Sequence, residues 1–242
     1  MDSSDKEKSN KQLFAAVAIV CLLLLFALYY AEYREINDPY SLAGRVIYVS
    51  EDISSYHFGM GSNISILGES LSIMSGNGSV DYKNGRMKIA FSSAEDSMNL
   101  VVVDENAYFK KNNNSWEKKN LNDQTWKSYD QLSQKNLLLD ESTNLSMQRT
   151  DSGIVLTAIP DKNNLVQEAG KVGLDLQGDE QLRDYYVRYL IDDETYHIIS
   201  IETHIEFLMK VQGLMSPVII NNRVDISSYD EEIEIEAPLK PE

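Results

Sequence analysis

The chain has 242 residues with 38 acidic and 22 basic side chains, a net charge of −16, which sets it against nucleic-acid phosphates and anionic headgroups as partners. Its one cysteine, Cys21, excludes internal disulfides and cysteine-based zinc sites. About 200 residues lie beyond a single long apolar run, enough for one domain or two small ones with a real core.

The first 12 residues form a polar tail in which Asp2, Asp5 and Glu7 balance Lys6, Lys8 and Lys11. Residues 13–31, LFAAVAIVCLLLLFALYYA, then make an uncharged run of 19. At ~1.5 Å per residue its helix is roughly 28 Å long, close to the ~30 Å hydrocarbon core of a bilayer. It reads as a retained transmembrane signal anchor. A cleaved signal peptide is the alternative, but its apolar core spans only ~7–15 residues before a small-residue cleavage site. Here Tyr29 and Tyr30 stand where small residues belong. A lipidated cysteine is disfavoured because Cys21 follows Val20 and has ten apolar residues of the run after it. Lys8 and Lys11 on one flank, against Glu32, Arg34 and Glu35 on the other, place the N-terminus in the cytoplasm. The expected protein is a single-pass cell-membrane protein with its bulk extracytoplasmic, and Tyr29, Tyr30 and Tyr33 suit the outer interface.

Residues 32–43 read as a stalk, with Asp38-Pro39 as a turn or helix start, and residues 44–242 as the exterior domain. Apolar and charged residues mixed over 42–53 predict a short helix. From Ser54 the pattern turns to two-residue alternation. The clearest signal is residues 79–91, SVDYKNGRMKIAF. Val80, Tyr82, Met87, Ile89 and Phe91 share one face, while Asp81, Lys83, Arg86 and Lys88 share a solvated one. Asn84-Gly85 predicts a two-residue hairpin turn. Further strands are predicted at 98–103, 107–111, 145–147, 154–159, 185–191, 196–207 and 218–226. Residues 231–236 alternate Ile with Glu and read as a strand with an exposed acidic face that discourages edge pairing. Helical spacing appears over 121–139 and in the first half of 165–182. About ten strands in hairpin order with one or two helical excursions define an α+β antiparallel sheet with helices on one face.

Four Asn-x-Ser sequons, at Asn63, Asn77, Asn113 and Asn144, barely exceed chance for this composition.

This order of signatures resembles the LolA-like lipoprotein-carrier superfamily, which includes the LppX- and LprG-like carriers. The resemblance covers about residues 54–238. It is carried by SSYHF, GSVDYKNGRMKIAF, ENAYFKK with SWEKK, SGIVLTAIPD, YYVRYLIDDETYHIISIE and SYDEEIEIEAP. It implies a large curved antiparallel sheet forming an unclosed half-barrel, with helices over its concave face. It also implies an apolar groove between the layers that binds a lipid or acyl chain. A retained anchor departs from the carrier pattern and speaks against shuttling between membranes.

Tyr82, Met87, Ile89, Phe91, Leu100 and Val102 are the expected groove residues; the alternative is that they are ordinary core under the helices. Eight methionines suit an adaptable apolar surface. Catalytic chemistry is nearly absent. Glu202, His204 and Glu206 share a strand face, but same-face neighbours stand too far apart for a tight metal site, so a solvated face is expected. Asp192-Asp193-Glu194 lacks calcium-loop spacing and reads as a turn. No phosphate loop, nucleophile elbow or Cys/His pair is present. The expectation is a membrane-tethered binding protein without cofactor, metal or enzymatic activity. The alternative is an envelope protein–protein interaction module with a filled core.

Overall fold

A computed structural model of the chain describes Val17, residues 19–26, 36–120, Trp126, 129–160, 181–211 and 213–238. It separates into two units, Met1–Asn37 and Asp38–Glu242. In the first, Val17 and residues 19–26 are helical with exposed apolar side chains. The rest of the predicted anchor lies outside the described residues. Among the described residues no helix is long and apolar enough to cross a membrane.

The second unit opens with α1 (Pro39–Glu51), three residues ahead of the predicted start. Asp38 is its N-cap, accepting from Ser41 N at 2.7 Å, and Pro39 opens the first turn, where its missing N–H costs nothing. Leu42, Ala43 and Val46 form the buried stripe.

Eleven strands follow: β1 (Ser55–Ile66), β2 (Glu69–Asp81), β3 (Arg86–Ser92), β4 (Ser97–Val103), β5 (Asn106–Lys111), β6 (Glu117–Asn120), β7 (Asn144–Thr150), β8 (Gly153–Ile159), β9 (Gln181–Ile191), β10 (Ile198–Val211) and β11 (Leu214–Ser227). Helix α2 (Gln131–Asp140) lies between β6 and β7 in sequence. The strands form one antiparallel, unclosed sheet in the order β6-β5-β4-β3-β2-β1-β11-β10-β9-β8-β7. Two meanders thus meet along β1 and β11, paired from His57↔Ser227 to Ile66↔Val218. The first half of the helical stretch predicted over 121–139 falls largely outside the described residues, as does nearly all of 165–182.

Strand β2 is far longer than its predicted tail at 79–82 because two glycines hide its pattern. A Cβ at Gly78 would lie 2.5 Å from the Phe58 ring, and one at Gly76 would lie 2.7 Å from Ala90 O and 2.8 Å from the Phe91 ring. Both positions stay bare so that aromatic rings can lie on the backbone.

The β2–β3 turn also differs from its prediction. Asp81 pairs with Arg86, leaving a four-residue loop in which only Gly85 takes positive φ. Asp81 closes this loop by accepting from Asn84 N at 3.0 Å and Asn84 Nδ2 at 2.7 Å. Two-residue turns with both residues left-handed occur instead at Asp104-Glu105 and Leu67-Gly68.

The C-terminal acidic stretch is not a strand. It crosses the reverse face of β4 and β5, where Ile235 is buried against Val101 and Val103, with Ile233, Tyr108 and Trp116 around them. Part of the face predicted to be solvated is therefore covered. Alternating Ile and Glu suit any extended segment lying on a surface, so the pattern alone could not distinguish the two.

This segment is fastened at Asp230, which holds Ser54 N at 2.7 Å and Ser54 Oγ at 2.8 Å and donates its own N–H to Ser55 O at 2.9 Å. The bond from Ser54 N holds the Asp230 carboxyl below the usual aspartate range, with the Ser54 hydroxyl and His197 charge adding to it. A lowered folded pKa gives stability that is present above about pH 4 and lost as pH falls through the lower folded value. Asp230→Asn keeps an acceptor and tolerates the left-handed backbone at this position (φ 58°). In urea unfolding, the stability gap between wild type and this variant should narrow from about pH 5 to about pH 2. A gap constant over that range contradicts the assignment.

Candidate ligand-binding face

Strand alternation puts one set of side chains under the helices, and register stacks them into rows. The first row runs Tyr56, Val80, Met87, Val102 and Ala107. The second runs Phe58, Gly78, Ile89, Leu100 and Phe109, and the third Met60, Gly76, Phe91 and Met98. The first row and most of the second are buried, whereas Phe109 and the whole third row are half-buried. Met74, paired with Ser62 beside a register shift in β1–β2, is half-buried on the same face.

A buried hub holds the cover over the first row. Asp130 is the N-cap of α2 and accepts from Ser133 N at 3.2 Å, from Tyr56 OH at 2.8 Å and from Tyr82 OH at 2.8 and 2.9 Å. Tyr56 OH in turn accepts from Leu132 N at 3.2 Å. Burial, reinforced by the Asp130 charge, pushes both phenols well above the ordinary tyrosine range, so they remain donors. Further along α2, Tyr189 OH donates to Lys135 O at 2.8 Å. Toward the third row the cover becomes aromatic: Trp126 lies 6.5 Å from Tyr82, and Tyr129 lies 6.5 Å from both Phe91 and Phe109.

On the other half of the face, Tyr185, Val187, Ile201, Ile205, Phe207, Val218 and Ile220 are buried. One polar interruption crosses it, where Ser62 Oγ bonds the Asn222 side chain next to Thr203.

Of the six predicted residues, Met87, Ile89, Leu100 and Val102 sit in the buried rows and Phe91 in the half-buried one. Tyr82 lies off the strand in the β2–β3 loop, its hydroxyl taken by Asp130. Met60, Met74, Met98 and Phe109 share this face, half-buried, and are not among the six. Met98 was findable, because it keeps alternation with Leu100 and Val102. Met74 was not, since the glycines and the register shift break the period.

The reverse face carries the residues weighed as metal ligands. Glu202 pairs with Arg223 Nη1 at 2.5 Å, and Arg223 also binds Asp225. The His204 ring stacks on Tyr186 at 4.8 Å and its Nδ1 meets Asn221 Oδ1 at 2.8 Å. Asp192 is occupied by its own turn, accepting from Thr195 N at 2.7 Å and Glu194 N at 3.1 Å. Among the described residues no group of three His, Cys, Asp or Glu is placed to hold a metal. A cleft of about 560 Å³ on this side is lined by Val155, Arg188, Leu190, Glu202 and Arg223.

No protein-family model matches the sequence, and no curated protein matches it. Among solved structures, LprF from Mycobacterium bovis is similar over 84% of this chain and 97% of its own, with TM-score 0.53 at 12% identity. A DUF1329 family protein from Desulfovibrio piger is similar over 83% of this chain and 95% of its own, with TM-score 0.32 at 13% identity. A LolA superfamily protein from Nitrosomonas europaea gives 82% and 96%, with TM-score 0.31 at 8% identity. The likeness to LprF extends over nearly the whole of that protein and shows the fold. The chain has the LolA-like fold that the order of its strands and turns resembles.

Proposed function

We propose that this chain is an extracytoplasmic, non-catalytic binding protein for a lipid or another acyl-chain ligand, tethered to its membrane by residues 13–31. The supporting observation is the third row of the helix-side face. Met60, Phe91 and Met98, with Met74 and Phe109 beside them, form a half-buried apolar strip next to a fully packed core. An acyl chain laid along this strip gains about 25 cal/mol for each Å² of apolar surface removed from water. Methionine suits the task because its unbranched side chain adapts to chains of different shape. Catalysis has no support on this face, where Asp130, Tyr56, Tyr82 and Tyr189 are committed to holding α2 and Ser62 is bonded to Asn222.

Complete burial of Met87, Ile89, Leu100 and Val102 favours a second reading, an envelope interaction module whose core is filled by its own helices. Native mass spectrometry of the full chain, gently extracted from membranes, separates the two. The binding reading expects adducts of lipid mass that disappear on denaturation. Repeated recovery of the bare chain, with no uptake of a fluorescent fatty acid, would leave the interaction module.

A further inference from the structure

Among the described residues β10 pairs with β9 as far as Leu208↔Gln181, where the described part of β9 begins, and β11 pairs with β1 only from Val218. Beyond those points the two strands pair with each other, out to Val211↔Leu214. On the β1 side β11 therefore runs four residues, Leu214–Pro217, past its neighbour, about 13 Å at ~3.3 Å per residue. Its outermost large apolar side chains are bare, Leu214 being 72% exposed and Met215 52%. At the same end of the sheet, the β1–β2 turn presents Leu67 (61% exposed) and the start of β2 presents Leu71 (60% exposed). Leu67 holds this position at φ 55°, a left-handed conformation that leucine adopts only at a cost. No fold requirement explains a bulky apolar residue there, because any Asn or Gly would turn the chain more easily.

Charge narrows what covers this end. Residues 207–222, FLMKVQGLMSPVIINN, contain no acid and a single cation, Lys210, in a chain with 38 acidic residues. A surface that is apolar, acid-free and tipped with one lysine matches the boundary between acyl chains and phosphate headgroups. We propose that the β10–β11 ribbon enters the interfacial region of a lipid bilayer, with Leu214 and Met215 inserted and Leu67 and Leu71 resting beside them. The proposal goes beyond ligand binding and does not require an occupied groove.

The test uses the full chain carrying Cys21→Ser and one new labelling site, Leu214→Cys, with an environment-sensitive nitrobenzoxadiazole label. Leu137→Cys, an exposed apolar position on α2, serves as the reference. Both are incorporated into phosphatidylcholine vesicles with and without doxyl-labelled lipid. The label at 214 should shift to shorter wavelength and lose about half its emission to the doxyl lipid, while the label at 137 remains aqueous. Equal accessibility of both labels to iodide in vesicles overturns the proposal. So does a blue shift at 214 that needs no lipid and grows with protein concentration, because the occupant is then a second copy of the chain. Fatty-acid uptake measured on the same samples reports separately on the groove.

Discussion

Asp130→Ala should destabilise the domain by about 4 kcal/mol, read from urea unfolding by intrinsic fluorescence. Loss of an N-cap costs about 1 kcal/mol. The substitution also strands the hydroxyl of Tyr56, which is fully buried, and that of Tyr82, which is partly so, at ~1–3 kcal/mol each. The same residue joins α2 to β1 and to the β2–β3 loop, so its loss loosens the cover over the first row as well as the helix end. Tyr56→Phe should cost less, because it removes one donor and leaves Asp130 with Tyr82 and Ser133. The double variant should fall short of the sum of the two, since both changes remove the same bond. A loss below about 1 kcal/mol for Asp130→Ala would mean that the hub does not hold the helix layer.

Met98→Asp should weaken binding of a fluorescent fatty acid at least about tenfold, a change of about 1.4 kcal/mol. The carboxylate would stand in the half-buried strip between Phe91 and the neighbouring strand, where an acyl chain cannot replace the water it needs. Met98 is not fully buried, so the folded state can keep the new charge hydrated and the unfolding midpoint should move little. Asn99→Asp supplies the control: it adds the same charge one residue along, on the opposite face. Equal loss of binding in both variants would assign the effect to net charge rather than to the strip.

The sequence exposed the antiparallel architecture wherever alternation was unbroken. The pattern around Met87, Ile89 and Phe91 placed β3 correctly, and the strands predicted at 98–103 and 107–111 are β4 and β5, joined at Asp104-Glu105. It failed where side chains carry no period. Gly76 and Gly78 silence most of β2, although they are what allow Phe58 and Phe91 to lie flat on it. The segment holding Ile233 and Ile235 reads as a strand because alternation records which side is buried, not what lies opposite. The hub at Asp130 was invisible for a different reason. Its partners lie 74 and 48 residues away, and an aspartate before a helix suggests only a cap. Of the expected groove residues, Met87, Ile89, Leu100 and Val102 are buried, whereas Phe91 lies in the half-buried row. That row, in which Phe91 stands beside Met60 and Met98, meets the edge of the cover.

Photo-crosslinking the full chain in membranes with a diazirine fatty acid, followed by peptide mapping, tests the central claim most directly. The account predicts label concentrated on peptides carrying Met60, Phe91 and Met98, diminished by excess unlabelled fatty acid. Label confined to residues 13–31 and to the reverse face around Arg188 and Arg223, with none on those peptides, would contradict it.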